Sequence, residues 1–194
     1  LDLGCGWGSL SLWIAQRFPR CRVLSVSNSG SQREHIVAVA RERGLDNIEV
    51  QTRDMNDFDT ERRFDRVVSV EMFEHMRNYG ELFRRIANWL EPDGRFFMHI
   101  FCHRTTPYEY IDKGPGDWMS RHFFSGGIMP SADLPHRFAD DLNVEKHWQW
   151  NGTHYARTLR AWLDRMDSRK ASVMPILRDT YGEEDTTRWW MRWR

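Results

Sequence analysis

The chain has 194 residues, of which 28 are Lys or Arg and 28 are Asp or Glu, so it carries no net charge. That length suits one domain, taken here as 1–194, with a sizeable core. The charge balance leaves no footprint for nucleic acid or for an anionic membrane. No apolar run approaches the ~20 residues of a membrane span, so no integral membrane segment is expected. Cys5, Cys21 and Cys102 lack metal-ligand spacing and an even disulfide count, which fits a reduced, cytoplasmic compartment. The chain opens on Leu1, not Met, inside a strand-like run, and closes on Arg188–Arg194, a helical-looking run without a cap. It therefore reads as a fragment cut at both ends. Of ten Trp, seven follow residue 117, which suggests an aromatic-rich lid or pocket, or a large core.

The elements alternate in chain order. Leu1–Leu3 is a strand end that breaks into Gly4, Gly6 and Gly8. Ser9–Arg17 has helical periodicity, and Arg22–Ser27 is a short strand. Ser31–Arg43 reads as a helix stopped by Gly44, a C-cap signal. Strands are predicted at Ile48–Thr52 and Phe64–Val70, a helix at Tyr79–Leu90, a turn at Pro92–Gly94 and a strand at Arg95–Cys102. Residues 103–140, with Pro, Gly and aromatics, break the rhythm and are expected to form an insertion over the site. A strand at Val144–Trp150 and a helix at Tyr155–Asp167 follow. Strands alternating with helices predict an α/β fold with a mostly parallel, doubly wound, Rossmann-like sheet. Ligands of such sheets lie at the carboxyl ends of the strands.

Those strand ends carry the chemistry. The first bears Asp2 and then the loop Gly4-Cys5-Gly6-Trp7-Gly8 ahead of a helix. Glycine permits a tight turn and a close backbone approach to a ligand. The second ends in Ser27-Asn28-Ser29-Gly30-Ser31-Gln32, with no acid for a ribose diol. The third leads to Asp54-Met55-Asn56, suited to an adenine amino group and an apolar ring face. The fourth leads to Glu71-Met72-Phe73-Glu74-His75, and the fifth to His99-Ile100-Phe101-Cys102-His103. Each loop alone reads equally well as a polar strand end facing water. His99 and His103 would share a strand face about 13 Å apart, and no third ligand has suitable spacing, so no metal site is expected. The glycine spacing and the missing acid count against a nicotinamide dehydrogenase.

The acid-x-Gly-x-Gly-x-Gly loop resembles motif I of class I S-adenosylmethionine (SAM) methyltransferases. The wider chain resembles the cyclopropane-fatty-acyl-phospholipid synthase superfamily, and within it the coclaurine N-methyltransferase branch. The shared segments are 1–8, 27–32, 70–79, 99–103, 117–131, 151–162 and 181–185. Among them, Glu71-Met72-Phe73-Glu74-His75 and Gly126-Gly127-Ile128-Met129-Pro130-Ser131 are specific. The resemblance implies that Gly4, Gly6, Trp7 and Gly8 line SAM, with Asp2 ordering its methionine end. Ser27 and Gln32 would hold the ribose, and Asp54 and Met55 the adenine. Glu71 and His75 match the acid–base pair of the N-methyltransferase branch. Glu74, His99 and Tyr155 match positions that hold bicarbonate in the lipid synthases, whose cysteine ligand lies upstream of this sequence. Many lipid synthases have Gly where this chain has Glu71, and read His-Thr-Ile where it has His99-Ile100-Phe101, which favours the amine branch.

Three functions stay open. The first is methyl transfer from SAM to a small amine. An alkyl ammonium with a pKa near ~10 is mostly protonated at neutral pH, so a base must generate the nucleophile. Glu71 and His75, four apart, would share a face if a helix starts there. Equally, Glu71 could be a helix-dipole charge and His75 a packing residue. The second is methyl or methylene transfer to an unsaturated lipid acyl chain, assisted by bicarbonate. The third is a non-catalytic SAM-binding module, for which the polar cluster Glu71, Glu74 and His75 has no use. Trp118, Phe123 and Phe124 would either wall a substrate or pack the insertion onto the sheet.

Overall fold

The computed structural model describes all 194 residues. They divide into two compact units, Leu1–Val144 and Glu145–Arg194. The first is built on five parallel strands: β1 (Asp2–Leu3), β2 (Val23–Ser27), β3 (Ile48–Thr52), β4 (Phe64–Val70) and β5 (Leu90–His99). Their order across the sheet is β3-β2-β1-β4-β5, the alternating pattern expected of the sequence. Three helices connect them: α1 (Ser9–Arg17), α2 (Gly30–Glu42) and α3 (Tyr79–Trp89).

Local signals explain the helix boundaries. Ser29 caps α2, its side chain accepting from the Gln32 N–H, and Gly44 at φ 65° lies just past its end. Asn78 caps α3 in the same way, accepting from the Glu81 N–H at 3.2 Å. Along α3 the buried residues are Tyr79, Leu82, Phe83, Ile86 and Trp89, a single apolar face at helical spacing. That face packs with Leu3, Leu24, Val26, Val67 and Phe73 in the larger core cluster. Leu12 of α1 and Ile36 and Ala40 of α2 form a second cluster with Cys5 and Val50. The sheet is thus lined by two separate cores, as a doubly wound fold requires.

Residues 103–144 carry a small antiparallel pair, β6 (Tyr108–Glu109) with β7 (Ile128–Met129), and between them the one-turn helix α4 (Trp118–His122). A 3₁₀ segment, Leu134–Phe138, follows and packs against α3. The second unit contains α5 (Thr153–Ser168), α6 (Lys170–Tyr181) and α7 (Thr186–Trp193). Within it Tyr181 stacks on Trp189 with centroids 4.0 Å apart, and Arg194 pairs with Asp167 at 2.6 Å.

Three expectations are corrected. Val144–Trp150 takes no part in any strand: the run has β-forming residues but no neighbouring strand to hydrogen-bond it. The Pro92–Gly94 turn lies inside β5 as an irregularity, because register skips from Phe64↔Leu90 to Arg66↔Arg95. No α-helix begins at Glu71; a single 3₁₀ turn, Phe73–His75, stands there instead.

Candidate active site

The carboxyl ends of the strands lie level. Leu3 is in register with Val26 and Ser69, Ser27 with Thr52, and Val70 with His99. The loops that follow therefore share one rim.

The glycine loop is shaped by its backbone. Gly4, Gly6 and Gly8 have φ of 78°, 54° and 80°, values that strain any residue with a Cβ. A Cβ on Gly4 would lie 2.7 Å from Met72 Cγ, and one on Gly8 2.6 Å from Ile36 Cγ1. At Gly6 the same position meets nothing within 4 Å, so this bend of the loop opens onto free space. Trp7 is 56% exposed and meets His35 edge-on, with centroids 5.3 Å apart.

Asp2 sits beneath this loop and not on its surface. It is buried and accepts a 2.5 Å hydrogen bond from Ser11 Oγ, which in turn accepts from Ser25 Oγ at 2.7 Å. Burial raises the Asp2 pKa, and the Ser11 bond opposes that rise. The carboxylate thus ties β1 to the first turn of α1 and to β2, and acts on the loop through its shape.

At the next strand end, Ser27 Oγ donates to Gln32 Oε1 at 2.5 Å and accepts from the Ser29 N–H at 3.1 Å. The amide nitrogen of Gln32 takes no part in that pair. Asp54 Oδ1 accepts from both the N–H and the side-chain amide of Asn56, at 2.8 and 2.9 Å. Its other oxygen stands outside this turn. Met55 is only 9% exposed and belongs to the larger core cluster. Arg85 of α3, which sequence reading passed over, donates to the Met55 and Asn56 carbonyls at 3.0 and 3.2 Å. Its guanidinium also lies over the Trp89 ring, 5.3 Å from the centroid.

The acid–base groups cluster after β4 and β5. Glu71 is the one non-glycine residue with positive φ, at 57°. Its Oε1 lies 2.7 Å from His99 Nδ1, and its N–H donates to the His99 carbonyl at 2.9 Å. Glu74 is fully buried, and its Oε1 accepts from the Phe101 N–H at 2.8 Å. Its Oε2 is buried without a hydrogen-bond partner. Burial pushes the Glu74 pKa up to about 7, and the nearby Glu71 charge adds to the rise. His75 stacks on Phe124 at 5.1 Å, and Phe124 stacks on Tyr110 at 4.9 Å. Burial lowers the His75 pKa, against a smaller pull from Glu71. Within the first unit Glu71 and His99 are therefore brought into contact, while His75 is taken up by an aromatic stack. Tyr155 lies on α5 in the second unit. No three His, Cys, Asp or Glu side chains are grouped to hold a metal ion.

A family model described as mycolic acid cyclopropane synthetase matches residues 1–193. The chain belongs to the mycolic acid cyclopropane synthetase family. Among proteins similar to this family member, an (S)-coclaurine N-methyltransferase of Thalictrum flavum subsp. glaucum is 40% identical over 178 residues. That match covers 91% of this chain and 49% of that protein. The cyclopropane-fatty-acyl-phospholipid synthase of Escherichia coli K12 is 33% identical over 187 residues, covering 94% of this chain and 44% of that protein. The chain thus spans about half the length of the relatives it matches. Among solved structures, a coclaurine N-methyltransferase bound to N-methylheliamine and SAH aligns with TM-score 0.93 and 39% identity, over 100% of this chain and 56% of that one. A cyclopropane synthase of Mycobacterium tuberculosis shares the fold, with TM-score 0.80 over 99% of this chain. The fold of this cyclopropane synthetase family member is that of the class I SAM methyltransferases. No helix is long and apolar enough to cross a membrane.

Proposed function

We propose that this chain forms the SAM-binding and catalytic part of a methyltransferase that acts on the nitrogen of a small amine. Its two units would serve one methyltransferase domain. The observation that carries this reading is Glu71, a carboxylate held at φ 57° on the rim it shares with the glycine loop. Met72, the next residue, packs on Gly4, so the acid is mechanically coupled to the cofactor loop.

The residues present fit SAM. The open side of Gly6 admits a ligand against the backbone, and the Ser27–Gln32 pair offers hydroxyl and amide to a ribose in place of a carboxylate. Asp54 presents one oxygen to an adenine amino group. Met55, buried in the core, offers at most an edge to the ring. When bound, SAM supplies an electrophilic methyl on a sulfonium. Glu71 accepts the proton of the substrate ammonium, breaking one N–H bond and leaving the lone pair on nitrogen. That lone pair would bond to the methyl carbon as the carbon–sulfur bond breaks and its electron pair returns to sulfur, S-adenosylhomocysteine leaving, and the proton accepted by Glu71 would pass to solvent. A positioned base contributes roughly 10²–10⁴-fold, and fixing the amine beside the methyl about 7–11 kcal/mol. Phe124 and Tyr110 form an apolar wall close to His75, and aromatic faces favour a cationic amine. Three free thiols fit a reduced, cytoplasmic setting.

A second reading, lipid methylene transfer with bicarbonate, draws support from Glu74. A carboxyl raised to about 7 with one unpartnered oxygen is able to donate to a small oxyanion. Against it, His99 is engaged by the Glu71 carboxylate at 2.7 Å, a negative charge where an anion would have to bind. The test uses the intact protein and methyl-labelled SAM, offered secondary amines and vesicles of unsaturated phospholipid together. Label in the amine fraction, lost in Glu71→Gln, supports the amine reading. Bicarbonate-dependent label in acyl chains overturns it.

A further inference from the structure

Two glycines open the segment Gly126-Gly127-Ile128-Met129-Pro130-Ser131, and they are needed for different reasons. Gly126 bends the chain ahead of β7 at φ 76°. Gly127 has no positive φ, so its conformation does not call for glycine. What position 127 lacks is room. A Cβ there would fall 2.8 Å from the Glu74 carbonyl oxygen, whereas ordinary contact begins near 3.4 Å. The obstacle is backbone, which cannot rotate aside as a side chain does. The other neighbours of that position, Phe124 Cδ1 and Cβ at 3.5 and 3.6 Å, stand at ordinary distances.

Further contacts fasten the same hairpin to the same turn. Arg77, two residues past His75, donates from Nε to the Gly126 carbonyl at 2.8 Å and pairs with Glu109 of β6 at 3.4 Å. The Gly127 N–H donates to the Phe124 carbonyl at 3.0 Å, and its carbonyl accepts from the Tyr110 N–H at 3.1 Å. One face of the Phe124 ring lies against His75 at 5.1 Å and 25°, and the other against Tyr110 at 4.9 Å and 15°. Phe101 and Phe123 meet the same ring nearly at right angles. Held on both faces, Phe124 goes where the hairpin goes, and the His75 ring rests on it.

We propose that Gly127 is a positioning residue for the methyl transfer: its bare Cα lets the β6–β7 hairpin close onto the Glu74 carbonyl and so fixes where the Glu74–His75 end of the turn stands. This rests on the reading of the turn as the bearer of the acid–base groups of an amine methyltransferase. With a side chain at position 127 the 2.8 Å separation has to grow toward 3.4 Å. A misplacement of 1 Å costs up to about 100-fold in rate, so a shift of this size lowers it about tenfold.

The test compares Gly127→Ala with Gly116→Ala in the intact protein. Gly116 lies in the same insertion, and a Cβ there would meet nothing within 4 Å. The first arm is histidine NMR without substrate, with His75→Gln assigning the signal. In the wild type and in Gly116→Ala the His75 ring protons carry the ring-current shift of Phe124. In Gly127→Ala that shift shrinks, and the His75 midpoint rises, because the burial that lowers it is relaxed while the smaller pull of Glu71 remains. The second arm measures methylation of a secondary amine, with SAH affinity by calorimetry. Gly127→Ala loses kcat about tenfold with SAH affinity unchanged, and Gly116→Ala matches the wild type in both. Should Gly127→Ala not fold, Arg77→Met takes its place. It unfastens the Gly126 carbonyl and Glu109 without adding to the contact, and gives the same changes at smaller size. A folded Gly127→Ala with the wild-type His75 signal and rate overturns the proposal, and so does an Arg77→Met with both unchanged. A rate loss matched by an equal loss of SAH affinity also overturns it, since that marks a general distortion. A wild type that methylates no amine overturns the functional reading, and a displaced His75 signal still supports the seating of the turn.

Discussion

Met72 packs directly onto Gly4: a Cβ on that glycine would stand 2.7 Å from Met72 Cγ and 2.8 Å from Met72 Cβ. Gly4→Ala must therefore displace the residue that follows Glu71, besides carrying the strain of φ 78°. The expected outcome is a loss of ~1–3 kcal/mol in stability and a drop in both SAM affinity and kcat. Gly6→Ala meets no protein atom within 4 Å, so it weakens SAM binding with a smaller stability cost. Urea unfolding together with calorimetric titration of SAH separates the two. Equal behaviour of the variants would contradict the packing argument.

Glu74 predicts a pH-dependent stability. Its pKa is raised from 4.5 to about 7, chiefly by burial. The folded state keeps this proton to higher pH than the unfolded chain does. Stability from this group is thus lost as pH rises from about 4.5 to about 7, and is level above that. The amount is roughly 3 kcal/mol. Glu74→Gln cannot ionise, so the variant lacks this fall. Unfolding free energies measured at several pH values across that window, for both proteins, check the difference in slope.

Arg85 predicts a cofactor effect from a residue beneath the loop. It holds the Met55 and Asn56 carbonyls and lies over Trp89, while the Trp89 indole donates to Asp59 at 3.0 Å. Arg85→Ala releases the Asp54–Asn56 loop and raises the dissociation constant for SAM about tenfold, a loss of about 1.4 kcal/mol, near the lower end of what hydrogen bonds to a charged group contribute. Arg84→Ala, which removes an exposed pair with Glu81, leaves SAM binding unchanged. A titration in which both variants bind alike would refute the clamp.

Phe124 predicts a histidine titration. His75 has its pKa lowered by burial, and Phe124 is the ring that covers it. Phe124→Leu keeps most of the packing but loosens the stack, so the His75 pKa rises toward the ordinary imidazole value. Histidine NMR across pH 5–8 reads this directly. A His75 signal that titrates identically in the two proteins would show that Phe124 is not what shields it.

The sheet was legible because its signals are local. The buried run Val23–Ser27, the partly buried run Phe64–Val70 and the Gly44 stop each act within a few residues. The loops at the strand ends followed from topology. The pairings within the site did not, since sequence spacing suggested Glu71 with His75 while a 3₁₀ turn and a positive φ send the carboxylate to His99, 28 positions away. Asp2 was read as ordering the methionine end of SAM; its burial beneath the loop, bonded by Ser11 Oγ that in turn accepts from Ser25 Oγ, depends on elements the sequence does not place side by side. Val144–Trp150 failed because strand-forming residues make no strand without an edge to join. Arg85 left no signal, as a helix-face arginine looks solvated until its carbonyl partners are known.

The hairpin β6–β7 abuts the acid-bearing turn without a gap: a Cβ on Gly127 would fall 2.8 Å from the Glu74 carbonyl oxygen. Arg77 adds a bond to the Gly126 carbonyl at 2.8 Å and a salt bridge to Glu109 at 3.4 Å. A hairpin fastened in this way does not swing as an independent flap. The hairpin and the turn that carries Glu74 are joined by close backbone packing, a hydrogen bond and an ion pair, so a displacement of one strains the other.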